Sequence, residues 1–141
     1  VCGIFGVIGK DKNNKSIIKK LASFAEVRGQ DSSGILSFDN KYEVSRADFS
    51  VTKLIQKIDL NRVELFLGIG RLITNDNSEN QPFLKDGICI FHNGIIVNDK
   101  EICNAENIKR ISKLDTEVFY AMAIKDKKKL NMEVFHKKIL E

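Results

Sequence analysis

The segment Cys2–Ile8, CGIFGVI, constrains this chain more than any other, because it is apolar or glycine throughout and begins at the second position. A glycine-laced apolar run suits a buried strand whose backbone another element approaches closely. Such a strand needs cover on both faces, so the chain must supply layers around it. A second stretch of the same kind, Leu65–Arg71 (LFLGIGR), reads as another buried strand. The material for a core is present: 43% of the 141 residues are hydrophobic and 30% charged, which argues against disorder and for about one globular unit. No internal repeat, low-complexity tract or proline-rich linker divides the chain, and the single proline, Pro82, lies in a polar stretch. One domain over residues 1–141 is expected.

Between the two strands, Ser16 can cap a helix that places Ile17, Ile18, Leu21, Ala22 and Ala25 on one face, with Gly29 closing it. After the loop RGQDSSG (Arg28–Gly34), Ile35–Phe38 and Tyr42–Arg46 read as a hairpin turning at Asp39 and Asn40. Leu54, Ile55 and Ile58 suggest a short helix. The polar loop ITNDNSENQPF leads to an expected strand pair, Ile88–His92 with Ile95–Asn98. The end reads as helical, with Val118, Phe119, Met122 and Ala123 at helical spacing, then Met132, Phe135 and Ile139 beyond a lysine-rich connection. Hairpins in the middle and helices toward the ends predict the α+β class, antiparallel sheet covered by helices.

The net charge of +4 comes from lysines scattered among acids. The one local cluster, Lys125, Lys127, Lys128, Lys129, Lys137 and Lys138, reads as a solvated helix face and not a nucleic-acid surface. No apolar run approaches the roughly 20 residues that span a bilayer, and no basic region with a following hydrophobic stretch opens the chain. A cytosolic protein without membrane or nucleic-acid partners is expected. Three cysteines, Cys2, Cys89 and Cys103, without paired spacing argue for reduced thiols. Cys89 and His92 have no second pair to complete a zinc set, and no cofactor or metal is expected.

Cys2 invites a chemical reading. A free α-amino group has a pKa near ~7.8 and a thiol near ~8.5, so about one-seventh of such amines are neutral at pH 7 and can accept the thiol proton during attack. The structural alternative is that Cys2 merely begins a strand. Asn93 and Gly94 offer an amide side chain and an unhindered backbone N–H, together able to hold an oxyanion, although Asn-Gly is equally a common hairpin turn. Arg71, ending a buried strand, could clamp a carboxylate, and Asp115 could pair with an ammonium group. Their plainer roles are a surface ion pair and a helix cap.

Read in order, CGIFG (2–6), RGQDSSG (28–34), GIGR (68–71), QPF (81–83), HNG (92–94) and DTE (115–117) form a series that resembles the glutaminase domain of class II glutamine amidotransferases. The resemblance implies an N-terminal-nucleophile hydrolase fold, an αββα sandwich of two antiparallel sheets between helical layers. It further implies Cys2 as nucleophile with its own amino group as base, and Asn93 with the N–H of Gly94 as oxyanion hole. Arg71 is similar to the residue that binds the glutamine α-carboxylate and Asp115 to the one that binds its α-amino group. Arg28 and its loop resemble the segment that shapes the substrate pocket. The expected partners are L-glutamine and an acceptor-activating synthetase or transferase domain or subunit.

Three departures from the family pattern stand out. Val1 precedes the cysteine that should be terminal and is expected to be absent from the active protein. Ile69 stands where many relatives carry histidine. The chain stops at Glu141, where the pattern continues with further strands, so the sandwich is expected to be C-terminally incomplete. RLITND followed by NQPF leans toward an asparagine-synthetase-like member, while HNGII leans away from it. Two other readings compete: a non-catalytic remnant that binds glutamine or a partner, and an N-terminal-cysteine amidase acting on another amide.

Overall fold

The computed structural model describes residues 2–73 and 79–125. Four strands form one antiparallel sheet in the order β1-β4-β2-β3: β1 (Gly3–Ile8), β2 (Ser32–Asp39), β3 (Lys41–Ala47) and β4 (Leu65–Arg71). Helix α1 (Asn14–Glu26) joins β1 to β2, and α2 (Val51–Ile55) lies between β3 and β4. Two short strands, β5 (Phe83–Lys85) and β6 (Ile88–Ile90), make a separate antiparallel ladder, followed by α3 (Asp99–Ala105) and α4 (Glu117–Lys125). The α+β class and antiparallel sheets agree with the sequence reading. Met132, Phe135 and Ile139 lie outside the described residues.

The two glycine-laced strands pair with each other, Gly3 opposite Gly70 and Phe5 opposite Gly68. Their glycines make room for neighbours. A β-carbon on Gly3 would stand 2.6 Å from the Ala25 backbone, and one on Gly70 would stand 2.8 Å from the Gly29 carbonyl oxygen and 3.2 Å from that of Ala25. The end of α1 therefore sits directly on the site end of the sheet. Along the same interface Phe5, Ile18, Ala22, Ile35, Val51 and Phe66 form the main core, with the Phe5 and Phe66 rings 5.8 Å apart. Ile18, Ile35, Val51 and Phe66 are fully buried. On the other face of edge strand β1, Ile4 and Ile8 are exposed.

Helix α1 starts two residues before Ser16. Asn14 accounts for the earlier start: its buried side-chain amide donates to the Gly9 and Val63 carbonyls at 2.7 and 3.1 Å, tying the helix to the segments that flank β1 and β4. Ile17, expected on the apolar face, is exposed. The β2–β3 hairpin turns as expected, with Asn40 at φ 63°.

The expected pairing of Ile88–His92 with Ile95–Asn98 does not form. Ile88–Ile90 pairs with Phe83–Lys85 through a turn at Asp86 (φ 48°) and Gly87 (φ 77°), and residues 91–98 contain no strand. Asp-Gly with two left-handed residues is a two-residue hairpin turn as favoured as Asn-Gly, and here tertiary packing selects it. The Tyr120 hydroxyl donates to Asp86 Oδ2, Phe83 packs against the Tyr120 ring, and Lys85 Nζ lies 5.2 Å from that ring's centre. The hydrogen bond and burial push the Tyr120 hydroxyl up to about 12, so it stays a donor throughout the neutral range. A second, smaller core gathers Ile96, Cys103, Val118 and Met122 from the last loop and helices.

Removing the side-chain amide of Asn14 leaves two carbonyls without their donor, one in a buried bond and one in a partly buried bond. Asn14→Ala is expected to destabilise the full-length protein by about 1–3 kcal/mol, read from the urea midpoint at unchanged slope.

Candidate functional site

Cys2 is held by backbone contacts from two distant segments. Its nitrogen donates to Asn93 Oδ1 at 3.0 Å, and its carbonyl accepts from Arg28 Nε at 3.3 Å. The HNG and RGQDSSG motifs thus meet at the residue before β1. Cys2, Ile4, Phe24, Arg28 and Asn93 line part of a cavity of about 300 Å3. Arg28 reaches Cys2 because α1 ends at Glu26 on top of the sheet, and Arg28 N continues the helical turn by bonding the Ala25 carbonyl. Of the other thiols, Cys103 is buried in the second core, and burial pushes the Cys89 thiol up against the opposing pull of Arg46.

Arg71 ends β4 one position beyond Gly70, the partner of Gly3, so the ladder brings Arg71 and Cys2 to the same end of the sheet. Its guanidinium Nη1 donates to Asn80 Oδ1 at 3.0 Å and to the Glu79 carbonyl at 3.4 Å, while its Nε–H is buried without a partner among the described residues. No surface acid pairs with it among the described residues. Gly29 packs on its main chain, where a β-carbon would come within 2.3 Å of the Arg71 carbonyl carbon. Asp31 closes the loop over the same segment: its N–H donates to the Arg71 carbonyl at 2.9 Å and its carboxylate accepts from Ile73 N at 2.8 Å.

Asp115 accepts from the Ile96 N–H at 2.8 Å, and its other oxygen lies 3.7 Å from His92 Nδ1, beyond direct hydrogen-bond reach. Burial pushes this carboxyl up, but the His92 imidazole and the backbone N–H groups of Ile96 and Thr116 outweigh burial and hold it below the ordinary value of 3.8. The structure therefore joins Cys2, Asn93 and Arg28 directly, and places Asp115 beside His92, the residue before Asn93. Neither Arg71 nor Asp115 is among the residues lining the cavity at Cys2.

The sequence reading assigned no role to three side chains that organise this end. Asn80 donates to the Ser33 and Ala47 carbonyls at 3.1 and 3.0 Å while accepting from Arg71. Gln81 Oε1 receives the His92 N–H at 2.7 Å. Buried Glu117 accepts the N–H groups of Ile111 and Ser112. Their signal was the polar run NQPF and the acid of DTE, residue types that bond backbone groups where no ladder exists. Among the described residues no cluster of His, Cys, Asp or Glu is arranged to hold a metal, and no helix is long and apolar enough to cross a membrane.

Asp115 gives an acid-side signature. A carboxyl held below its unfolded value contributes stability that is present above that value and lost as the pH falls through the lower folded one. Asp115→Asn is expected to reduce the stability lost between about pH 5 and about pH 2, measured by denaturant unfolding at a series of pH values.

The chain is 35% identical over 109 residues, 72% of its length, to glutamine–fructose-6-phosphate aminotransferase of Methanococcus maripaludis, of which it covers 18%. It is 29% identical over 111 residues to the amidophosphoribosyltransferase of Pseudomonas aeruginosa, covering 72% of this chain and 22% of that protein. Among solved structures it resembles glutamine phosphoribosylpyrophosphate amidotransferase from B. subtilis, with a TM-score of 0.70, 24% identity, 99% of this chain covered and 32% of the other. The chain thus spans between about a fifth and a third of these relatives. No protein-family model matches it.

Proposed function

We propose, for a chain that belongs to the class II glutamine amidotransferases and carries their N-terminal-nucleophile hydrolase fold, that it performs the glutaminase half-reaction, releasing ammonia from L-glutamine. The observation that carries this reading is the 3.0 Å bond between Cys2 N and Asn93 Oδ1, which couples the residue bearing the thiol to the amide that would hold the oxyanion. With Oδ1 occupied, Asn93 keeps its Nδ2–H groups to donate.

In the proposed sequence the Cys2 thiol gives its proton to the Cys2 α-amino group, and the sulfur attacks the side-chain carbonyl carbon of glutamine. The oxygen becomes an oxyanion between Asn93 Nδ2–H and Gly94 N–H, donors fixed before the charge develops. As the C–N bond breaks, the ammonium group of Cys2 returns the proton to the leaving nitrogen, and ammonia departs from a thioester. Water, deprotonated by the same amine, then attacks the thioester, yielding glutamate and the free thiol. No cofactor enters. Arg71, which the ladder brings to the Cys2 end of the sheet, is assigned the substrate α-carboxylate, and Asp115, whose carboxyl is held below its ordinary value, the α-ammonium. Arg28, bonded to the Cys2 carbonyl, orients the nucleophile's backbone.

Ammonia serves an acceptor-activating domain or subunit in this reading. An asparagine-synthetase-like acceptor is supported only by the RLITND and NQPF blocks, whereas the relatives named above are sugar-phosphate and phosphoribosyl enzymes.

Arg71→Ala in the full-length protein should lower kcat/KM for glutamine by roughly 2–5 kcal/mol of transition-state binding. Asn93→Ala should instead lower kcat by about 100- to 1000-fold. Unchanged kcat/KM in the first variant, or a loss confined to KM in the second, removes the corresponding assignment.

The amine can act as base only when it is not acylated, since a peptide nitrogen does not take up a proton at neutral pH. Active protein is therefore expected to begin at Cys2, read by intact mass of material expressed from its native start. A residue retained at position 1 in a preparation hydrolysing glutamine at full rate contradicts the mechanism.

A further inference from the structure

His92 lies between the two halves of the site without belonging to either. Its Nδ1 is buried, makes no hydrogen bond among the described residues and faces Asp115 Oδ1 at 3.7 Å. The imidazole and the Phe119 ring of α4 pack in a T-shaped arrangement at a centroid distance of 4.9 Å, and the His92 side chain is 15% exposed. On the far side of the ring is Gly94. A β-carbon there would stand 2.9 Å from His92 Nε2, and the next nearest atoms, at 3.5 and 3.7 Å, belong to the same ring. The φ of Gly94 is outside the left-handed region, so it is the space taken by the imidazole, and not the backbone conformation, that opposes a side chain there. The backbone of His92 is pinned as well, its N–H donating to Gln81 Oε1 at 2.7 Å.

We propose that His92 is a positioning residue for the proposed glutaminase reaction, a ring wedged between Asp115 and Gly94 that fixes the Asn93–Gly94 turn against Cys2. Residues 91–98 contain no strand, so the turn has no ladder to hold it. A wedge backed by α4 takes the place of the ladder. The same wedge makes the position of the oxyanion donors depend on the carboxylate that would receive the substrate ammonium. His92 does not exchange a proton with the substrate in this role; its contribution is shape.

This inference rests on the glutaminase reading for its kinetic consequence, but the contact it describes does not. Four full-length proteins test it: wild type, His92→Ala, Gly94→Ala and the double variant, each assayed for glutamine hydrolysis and thermal unfolding. Gly94→Ala keeps its N–H donor yet displaces the ring and the turn, so it should lower kcat by about 100-fold with little change in KM. When His92 is already alanine, the added methyl meets no ring, and the same substitution should lower kcat by less than about threefold. His92→Ala alone should also lower kcat more than KM rises. In an active wild type, an equal cost of Gly94→Ala in both backgrounds overturns the proposal. If the wild type hydrolyses no glutamine, melting temperatures decide: a smaller loss from Gly94→Ala without His92 supports the wedge while the glutaminase reading falls, and equal losses overturn both.

Discussion

The seating of the end of α1 on the paired glycines Gly3 and Gly70 is the constraint on which this end of the molecule depends. Side chains at those positions would occupy the space of the Ala25 and Gly29 backbone, and van der Waals repulsion at such distances is not relieved by a rotamer change. The close approach carries Arg28 to the carbonyl of Cys2 and lays Gly29 on the main chain of Arg71. Two strand ends and a loop are thereby brought together at one point. The glycine-laced composition of β1 and β4 is the sequence form of that packing.

Beyond the sheet, order is maintained differently. The connections around residues 79–81, 91–98 and 106–117 have few ladder hydrogen bonds, and buried N–H and carbonyl groups still require partners. Amide and carboxylate side chains supply them. Asn80 serves the Ser33 and Ala47 carbonyls, Gln81 and Asp115 take the N–H groups of His92 and Ile96, and Glu79 and Glu117 hold the loop from Ile111 to Lys113. Arg110 ties α3 to that loop through Asp99 and the Leu114 carbonyl. Several of these bonds are to charged acceptors in partly buried settings, where each contributes more than a neutral bond.

These two modes of order explain what was legible in the sequence. The sheet was written in local pattern: Leu65–Arg71 and the Asn40 hairpin follow from apolar runs and turn chemistry alone. The second ladder was not, because Asp86-Gly87 and Asn93-Gly94 are both good turns flanked by apolar residues, and the choice is made by Tyr120, more than thirty positions away. Helix α3 was missed since its seven residues carry only Ile102, Cys103 and Ala105 as apolar side chains, too few for a period to emerge. The motif series pointed to Cys2 and Asn93, which do meet. It could not indicate Asn80 as an organiser, since its partners Ser33 and Ala47 are distant in sequence.

The grip on Cys2 has a bearing on how the protein matures. One side of that residue is held from 26 positions away and the other from 91, the latter across most of the described chain. The longer contact closes a large loop, whose entropic cost the sheet and the core must offset. In the proposed mechanism the thiol is paired with its oxyanion donors only through the longer contact. A half-folded chain emerging from synthesis would then carry the thiol and its amine without the oxyanion donors, and hydrolysis of an amide would await the last tertiary closure.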